Sequence, residues 1–415
     1  MGTTLTDTPS GTGPSPQLGA GHRHHEVVEA ARALGPAIAA AADEIERLGR
    51  LPDALVEQLR AARVFDLYAP AAVGGLEVDP LTAFSVTEEL SRHDGSVGWC
   101  TQVAAATTVF LAWIDPAAVA EMTALGGGRL HIAGSARALG QARMVEGGYL
   151  ASGHWNYASG VRHANWFLGT CVVERPDGRR SPRSMFMPVT DGTIVSNWNV
   201  LGMRGTGSDD FVLDEVFVPA GRAAERRWIE VNRAPLYDQR LNMVAAWAPT
   251  AGVGVGLAQG AVDALVALGA QATAGSEVPL REREAVHDAA GRAATMVGAA
   301  RAFVLGALGH AWQQILERPH GSPDATVTRA VTEAQLAITH ALNEAVRVAD
   351  TAFHAAGTAA ISSANRLERI LRDAHTAVQH AAGQPIHVRA GGRVVMGLDA
   401  GKVDLSRTGP VTPRP

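Results

Sequence analysis

The sequence is nearly free of lysine. One of its 36 basic residues, Lys402, is a lysine, and it lies in a polar C-terminal segment. An enzyme that forms a Schiff base needs a lysine whose pKa is lowered by burial. A phosphate-binding loop of the G-x-x-x-x-G-K type would need a glycine where Met396 stands, ahead of Gly401. The lysine content therefore excludes both kinds of site.

Cysteine and positive charge are also scarce. The two cysteines, Cys100 and Cys171, are too few for a disulfide scaffold and are typical of the reducing cytoplasm. The formal net charge of −5 argues against a nucleic-acid partner. Hydrophobic residues make up 47% of the chain and charged residues 19%, as in folded globular proteins. Residues 1–22 hold no apolar targeting segment, so we predict a disordered tail and a cytoplasmic location.

One apolar stretch, Met243–Ala270, is long enough to cross a membrane. Pro249, Gln259 and Asp263 interrupt it, and glycine is frequent within it. These residues favour a helix buried inside a helical bundle over a membrane span. We therefore expect no membrane partner.

The hydrophobic pattern changes twice along the chain. Apolar residues recur at helical spacing in the first and last regions, and short alternating runs with glycine-containing turns fill the middle. The alternating runs predict an antiparallel sheet or barrel, and the last region predicts helices over 237–271, 279–317, 325–357 and 362–382. The predicted organisation is a tail (1–22), an N-terminal helical domain (23–128), a β domain (129–220), a C-terminal four-helix bundle (235–400) and a second tail (401–415).

Three segments carry the chemistry. Residues 147–160 read GGYLASGHWNYASG, residues 201–210 read LGMRGTGSDD, and residues 366–373 read RLERILRD and run on to His375 and His380. In order and spacing they resemble the acyl-CoA dehydrogenase superfamily over about residues 25–400. The resemblance implies a mainly α fold with an N-terminal helical domain, a central β-barrel or sandwich domain and a C-terminal four-helix bundle. It also implies flavin between the β domain and the bundle, and a homotetramer or homodimer.

The base that a dehydrogenase of this superfamily needs is missing. Removing the α proton of an acyl thioester requires a carboxylate beside the flavin. The usual position for that glutamate is Ala381 here, and no Asp or Glu lies between Asp238 and Asp263 on the other known helix. The superfamily's T-E-P-x-x-G-S loop is replaced by residues 133–140. These departures favour another branch.

Two patterns resemble the oxygenase branch, Trp155…Ser159-Gly160 in the β domain and Arg372-Asp373…His380 in the last helices. This branch contains two-component flavin monooxygenases, similar to hydroxyphenylacetate and steroid hydroxylases, and the amino-sugar N-oxygenases. The resemblance implies that the chain takes reduced FMN or FAD from a separate flavin reductase. Oxygen, the co-substrate, then adds to give a C4a-hydroperoxyflavin, which oxidises a small organic substrate.

Two absences agree with a flavin that is borrowed. Residues 270–276 lack the arginine with which FAD-retaining dehydrogenases hold the pyrophosphate. The run Gly252-x-Gly254-x-Gly256 lies in a helical stretch without the βαβ context of a nicotinamide site. We therefore expect the reductase to be another polypeptide.

Ser159 and His380 are the predicted catalytic residues. A hydroxyl at Ser159 can accept the hydrogen bond of flavin N5, and the alternative is a turn before Gly160. Neutral imidazole both donates and accepts near pH 7, so His380 can orient the peroxide or deprotonate the substrate. The alternative for His380 is packing, and His375 is expected to be structural.

Five further residues are predicted to line the site. Trp155, Ser135 and Arg372 are expected to contact the flavin, with domain packing open for Trp155 and an ion pair within the helix open for Arg372. Arg204 and Thr206, in a glycine-rich turn, are expected to contact the substrate, and a tight turn alone also explains that segment. We predict no metal.

Three alternatives remain open from the sequence. The chain can be an acyl-CoA dehydrogenase or oxidase with FAD, an N-oxygenase of an amino group, or a binding protein without activity. Among substrates, an aromatic or polycyclic natural product is favoured over an amino sugar, and carbon, nitrogen or sulfur can be the atom oxidised.

Overall fold

A computed structural model describes residues 19–175, 178–224, 234–270, 277–318 and 324–399. Helices come first, a sheet follows, and helices return, as the hydrophobic pattern predicts. The first 18 residues and the predicted tail 401–415 lie outside the described residues. The first helix begins at Gly19, inside the range 1–22 that we expected to be disordered.

Six helices form the N-terminal region: α1 (Gly19–Ala33), α2 (Gly35–Leu48), α3 (Asp53–Ala61), α4 (Pro80–His93), α5 (Gly95–Thr108) and α6 (Pro116–Leu125). Aspartates begin three of them, because the carboxylates of Asp79, Asp94 and Asp115 accept hydrogen bonds from the first free N–H groups of α4, α5 and α6. A proline in the first turn of α2 separates α1 from α2, since proline lacks the N–H that a continuous helix requires.

The middle region is one sheet of seven strands: β1 (Ile132–Val145), β2 (Gly148–Trp155), β3 (Trp166–Glu174), β4 (Arg180–Pro188), β5 (Thr193–Val195), β6 (Asp210–Pro219) and β7 (Ala223–Ala224). Its order is β5-β6-β2-β1-β3-β4-β7. The predicted central β domain is confirmed, and the strand pairs that the structure describes are antiparallel, as expected, except for one. Strands β1 and β3 are parallel, because the chain crosses over before β3, and the order ends at β5 and β7.

The sheet curls around its own aromatic core. Phe167 of β3 and Phe211 of β6 lie 4.1 Å apart between ring centroids, although two strands separate them in the sheet. Trp155 of β2 packs edge-on against Phe167. The curvature places apolar side chains of several strands together in a core of their own.

The described residues of the C-terminal region form five helices, not the predicted four: α7 (Asn242–Ala267), α8 (Glu284–Glu317), α9 (Ala325–Ala356), α10 (Arg366–Ala377) and α11 (Pro385–Val395). The predicted fourth helix over 362–382 is shorter than expected, and α11 follows it. Pro385 in the first turn of α11 marks the start of this extra helix.

Helix α7 is the core of the C-terminal region and packs closely on α4. Gly252, Gly256 and Gly260 stand one turn apart and face the backbone of α4, so that a Cβ atom at each would meet a carbonyl or hydroxyl oxygen at 2.2–2.8 Å. Two helices among the described residues, Met243–Ala270 and Glu284–Glu317, are long and apolar enough to cross a membrane. The most apolar stretch of the first is 72% buried, and that of the second is 33% buried. Burial of the first agrees with the predicted bundle helix.

Candidate active site

Ser159 lies in a tight loop between β2 and β3. Its N–H donates to the carbonyl of Tyr157 at 2.9 Å, and the next N–H, of Gly160, donates to the carbonyl of Thr206 at 2.8 Å. Gly160 adopts a positive φ of 79°, which explains glycine there. These backbone bonds hold the Ser159 loop against the turn Arg204–Thr206, so two of the three chemistry-bearing segments meet.

The second segment is pressed into the N-terminal helices. A Cβ atom at Gly205 would lie 2.0 Å from the side chain of Ile45 and 3.0 Å from that of Ser96. Glycine therefore lets the turn approach α2 and α5. This contact keeps the turn close to the helices, so that Thr206 is buried, with 1% of the residue exposed.

Buried hydroxyls link the two segments. The Oγ atoms of Ser159 and Ser208 are 2.7 Å apart, and those of Ser208 and Thr206 are 2.6 Å apart. The hydroxyl of Thr206 donates to the carbonyl of Met203 at 2.8 Å. We call Ser159, Ser208 and Thr206 the hydroxyl chain.

Trp99, on α5, joins Ser159 to His380. Its indole N–H donates to Ser159 Oγ at 3.2 Å, and its ring packs edge-on against the imidazole of His380 with centroids 5.3 Å apart. Trp247, on α7, packs against the same imidazole at 5.9 Å and against His387 at 5.2 Å. The structure thus brings the two predicted catalytic residues together, at the junction of all three regions.

The imidazole of His380 is neutral at pH 7. Burial lowers its pKa to about 4, with a smaller contribution from His387. Its Nδ1 accepts a hydrogen bond from the N–H of Ala382, so the proton of the neutral ring lies on Nε2. Among the described residues none accepts from Nε2. His380 therefore offers an N–H donor and is a weak base, which favours the orienting role over proton removal.

Asp373 supports the turn from the bundle. Its Oδ1 accepts the N–H of Met203 at 2.5 Å, and the same Met203, with a positive φ of 56°, anchors the hydroxyl chain through its carbonyl. Burial, with a contribution from Asp94, raises the pKa of Asp373 to about 8. Of the pair Arg372-Asp373, the aspartate therefore has a structural function, which is to hold the turn at Met203.

Arg372 and Arg204 lie in ion pairs at the edge of this turn. Arg372 pairs with Glu368 at 2.6 Å and with Glu46 at 2.9 Å, and donates to the carbonyl of Leu201. Arg204 pairs with Glu46 at 3.2 Å. The ion pair within the helix is therefore present, with Glu368 as the partner, and these contacts favour a structural role for both arginines. Their predicted ligand contacts remain predictions.

Trp155 and Ser135 lie elsewhere in the sheet. The Trp155 indole is fully buried, donates to the carbonyl of Thr170 at 3.3 Å, and fills the space left by Gly140, Gly153 and Gly169. This position favours packing inside the β domain over contact with flavin. Ser135 Oγ accepts the N–H of Arg137 where the register of β1 and β3 shifts, a position that leaves its ligand contact a prediction.

Sequence reasoning missed three aromatic residues of the site. Trp99 and Trp247 lie in apolar helices, where the sequence pattern predicts that a tryptophan belongs to the hydrophobic core. Tyr157, two residues before Ser159, is 61% exposed and has a positive φ of 62°. A bulky residue in that conformation costs about 1–3 kcal/mol and is typical of functional loops. The only sequence signal is its place inside the segment already singled out.

The carboxylates near these segments are engaged. Asp209, beside Ser208, accepts from the N–H groups of Asn197 and Trp198 and from Arg162. Asp263 is the single carboxylate of α7 and pairs with Arg92 at 2.6 Å. Both positions agree with the absence of a dehydrogenase base. No metal-binding group of three or more His, Cys, Asp or Glu occurs among the described ranges.

Known proteins share the sequence pattern and the fold of this chain. The models of the acyl-CoA dehydrogenase N-terminal and C-terminal domains match residues 22–117 and 248–385. The oxygenase subunit HsaA of a flavin-dependent monooxygenase of Mycobacterium tuberculosis is 30% identical over 370 residues, 85% of this chain and 90% of that protein. The indole-3-acetate monooxygenase of Pseudomonas putida is 27% identical over 368 residues, 85% of this chain and 91% of that one.

A solved structure matches nearly the whole fold. XiaF from a Streptomyces species, in complex with FADH2 and glycerol, superposes with a TM-score of 0.80 and is 26% identical, covering 95% of this chain and 98% of its own. The expected fold, resemblance and reduced-flavin cofactor are confirmed by these likenesses. The chain belongs to the acyl-CoA dehydrogenase superfamily, in the branch of oxygenase components of flavin-dependent monooxygenases.

Proposed function

We propose that this oxygenase component oxidises a small aromatic substrate beside the cluster of Ser159, His380, Trp99 and Trp247, with reduced flavin delivered by a separate reductase. The observation that carries the proposal is the junction itself. Ser159 and His380, distant in sequence, share the indole of Trp99 and lie where the sheet meets α5 and α7.

The residues present fit a reduced flavin. Ser159 Oγ accepts one hydrogen bond from Trp99 and, with its own proton, donates one to Ser208, so one of its two acceptor positions stays free for the N–H at flavin N5. Tyr157 offers an exposed aromatic ring beside the same loop. When bound, reduced flavin would supply the two electrons that activate O2, and O2 would supply the oxygen atom that is transferred. The chain itself holds the N5 proton, excludes water and orients the partners.

His380 would orient the oxygen that is transferred or the substrate. The ring carries its proton on Nε2 and stays unprotonated on Nδ1 through the physiological pH range, because burial lowers its pKa to about 4. Nε2–H is therefore available as a donor. A fixed neutral donor stabilises a negative or polarised oxygen without releasing its proton to water. The two indoles that enclose the ring keep it in this orientation.

The character of these side chains favours an aromatic substrate over an amine. Indoles and neutral imidazoles pack against flat rings by stacking or edge contacts. The nearby carboxylates of Asp209 and Asp373 are committed to Arg162 and to Met203, so neither is free to pair with an ammonium. The relatives named for aromatic substrates, such as the indole-3-acetate monooxygenase, support this choice.

Replacing Ser159 tests the proposal without a known substrate. The complex with reduced FMN or reduced FAD is mixed with oxygenated buffer, and the rate of hydrogen peroxide release is measured. We expect Ser159→Ala to release peroxide about tenfold faster than wild type, the effect of one lost hydrogen bond, and Ser159→Thr to remain slow. Equal rates for wild type and Ser159→Ala would contradict the role of Ser159.

A panel of substrates tests the second half of the proposal. Phenols and indoles are compared with aliphatic amines of similar size, and oxygenated product is measured per reduced flavin consumed. We expect product with aromatic compounds. Oxidation confined to amines would favour the N-oxygenase.

We also propose a cytoplasmic homo-oligomer, a homodimer or homotetramer. Helix α8, 34 residues long, contains an apolar stretch of 18 residues, and only 33% of that stretch is buried. Phe303 and Leu316 on this helix are 37% and 51% exposed. Exposed apolar surface of this extent supports an interface, and a second copy of the chain is the partner that α8 fits.

A further inference from the structure

We propose that Thr206 and Ser208 are positioning residues that set the direction of the hydrogen bonds at Ser159 and thereby make the site bind reduced flavin in preference to oxidised flavin. The inference rests on the proposed function, in which Ser159 faces flavin N5. It gives the glycine-rich turn a function other than the substrate contact predicted for Thr206.

The direction begins at a carbonyl, which can only accept. The hydroxyl of Thr206 lies 2.8 Å from the carbonyl oxygen of Met203 and must donate to it. That carbonyl also accepts the indole N–H of Trp198 at 3.1 Å, and the N–H of Met203 is held by Asp373. Hydrogen bonds from Thr206 and Trp198 to the carbonyl of Met203, and from the N–H of Met203 to Asp373, therefore hold this acceptor in place.

The direction then passes along the hydroxyl chain. A hydroxyl has one proton, and that of Thr206 is used at Met203. Ser208, at 2.6 Å, must therefore donate to Thr206, and its own proton is used there. Ser159, at 2.7 Å, must then donate to Ser208. All three hydroxyls are at most 5% exposed, so water does not offer them another partner.

Trp99 completes the arrangement at Ser159. An indole N–H can only donate, and it reaches Ser159 Oγ at 3.2 Å. Ser159 therefore has its proton committed to Ser208 and one acceptor position occupied by Trp99. The one position that remains open is an acceptor.

An acceptor-only Ser159 distinguishes the two redox states of flavin. Reduced flavin carries a proton at N5 and can donate to Ser159. Oxidised flavin has an unprotonated N5, which needs a donor, and two acceptors facing each other gain no hydrogen bond. The chain would thus take up the reduced form and release the oxidised form, as an enzyme that borrows its flavin requires.

Dissociation constants test this mechanism apart from activity. Reduced FAD and reduced FMN are titrated under anaerobic conditions, and FAD and FMN in air, into wild type, Thr206→Val and Ser208→Ala, with Thr206→Ser as the control that keeps the hydroxyl. Thr206→Val and Ser208→Ala free the proton of Ser159, so we expect oxidised flavin to bind about tenfold tighter and reduced flavin to bind unchanged. Thr206→Ser should match wild type.

Ser159→Ala separates this inference from the proposed function. Loss of the acceptor should weaken binding of reduced flavin and leave binding of oxidised flavin unchanged. If Ser159→Ala leaves reduced flavin bound as in wild type, the proposed place of Ser159 at N5 is wrong. If Ser159→Ala weakens reduced flavin but Thr206→Val and Ser208→Ala leave the dissociation constant of oxidised flavin as in wild type, the directional chain is wrong and the place of Ser159 stands.

Discussion

Single residues of this site are defined by their partners more than by their own chemistry. Neither Ser159 nor His380 is unusual as a residue type, and contact with the same indole, that of Trp99, places them in one site. His380 loses its usual role as a base because burial lowers its pKa to about 4 and because a backbone N–H occupies Nδ1. The buried His380 and the buried Asp373 each lead to a prediction about dependence on pH.

The activity of His380→Asn should be lower than that of wild type but should depend on pH in the same way. The amide N–H of asparagine lies on a shorter side chain than Nε2–H of histidine, so it stabilises the transferred oxygen less well. We therefore expect oxidation to slow by about tenfold or more. Since His380 is neutral above pH of about 5, its titration adds no step to the profile of wild type. Initial rates from about pH 5.5 to 8.5 check this, and a step near 6.5 that the variant lacks would contradict it.

Asp373→Asn should change how stability depends on pH. Burial raises the pKa of Asp373 to about 8 from an ordinary 3.8, so the folded state holds this proton more tightly than the unfolded state. The stability that Asp373 contributes is complete below about pH 4 and is lost as pH rises toward 8. Relative to Asp373→Asn, wild type should lose thermal stability between pH 5 and 8. Melting curves at both pH values test this, and a constant difference would count against it.

At the scale of elements, α7 connects the N-terminal and C-terminal regions through a row of glycines. A helix rich in glycine is intrinsically weak, because each glycine loses about 1 kcal/mol of helix propensity relative to alanine. Here the close approach to α4 outweighs that loss. A Cβ atom at Gly256 would lie 2.4 Å from the carbonyl oxygen of Glu88, which is backbone and cannot turn aside.

Gly256→Ala should therefore destabilise the protein by about 1–3 kcal/mol, in spite of its better helix propensity. Gly392→Ala is the matched control, since Gly392 lies inside α11 and nothing stands within 4 Å of its Cβ position. The control should be neutral or stabilise by up to about 1 kcal/mol. Denaturant unfolding measures both, and an equal effect of the two substitutions would show that the contact of α7 with α4 is unimportant.

At the scale of the whole molecule, the exposed side of α8 is the surface left to explain. We expect wild type to sediment as a dimer or tetramer, and Phe303→Glu together with Leu316→Glu to shift it toward monomer, because charges in an apolar interface remain unpaired. Leu125→Glu is the control, since Leu125 is 63% exposed on α6 in the N-terminal region. A monomeric wild type, or an equal shift with the control, would overturn the proposed interface.

The sequence by itself determined the order of the three regions and the branch of the superfamily, because hydrophobic period, missing carboxylates and local motifs are all properties of nearby residues. It also singled out Ser159 and His380, whose catalytic roles stay predictions. The extra helix α11 and the parallel pairing of β1 with β3 were not predicted, since both depend on how distant segments pack.

Only the tertiary structure decided which partners the residues of the site contact. It enclosed Trp155 in the sheet, placed Arg372 in ion pairs and brought Trp99 between Ser159 and His380. The physical reason is that hydrogen-bond direction, burial and the pKa of a side chain depend on neighbours from other elements, and no local pattern in the sequence records those neighbours.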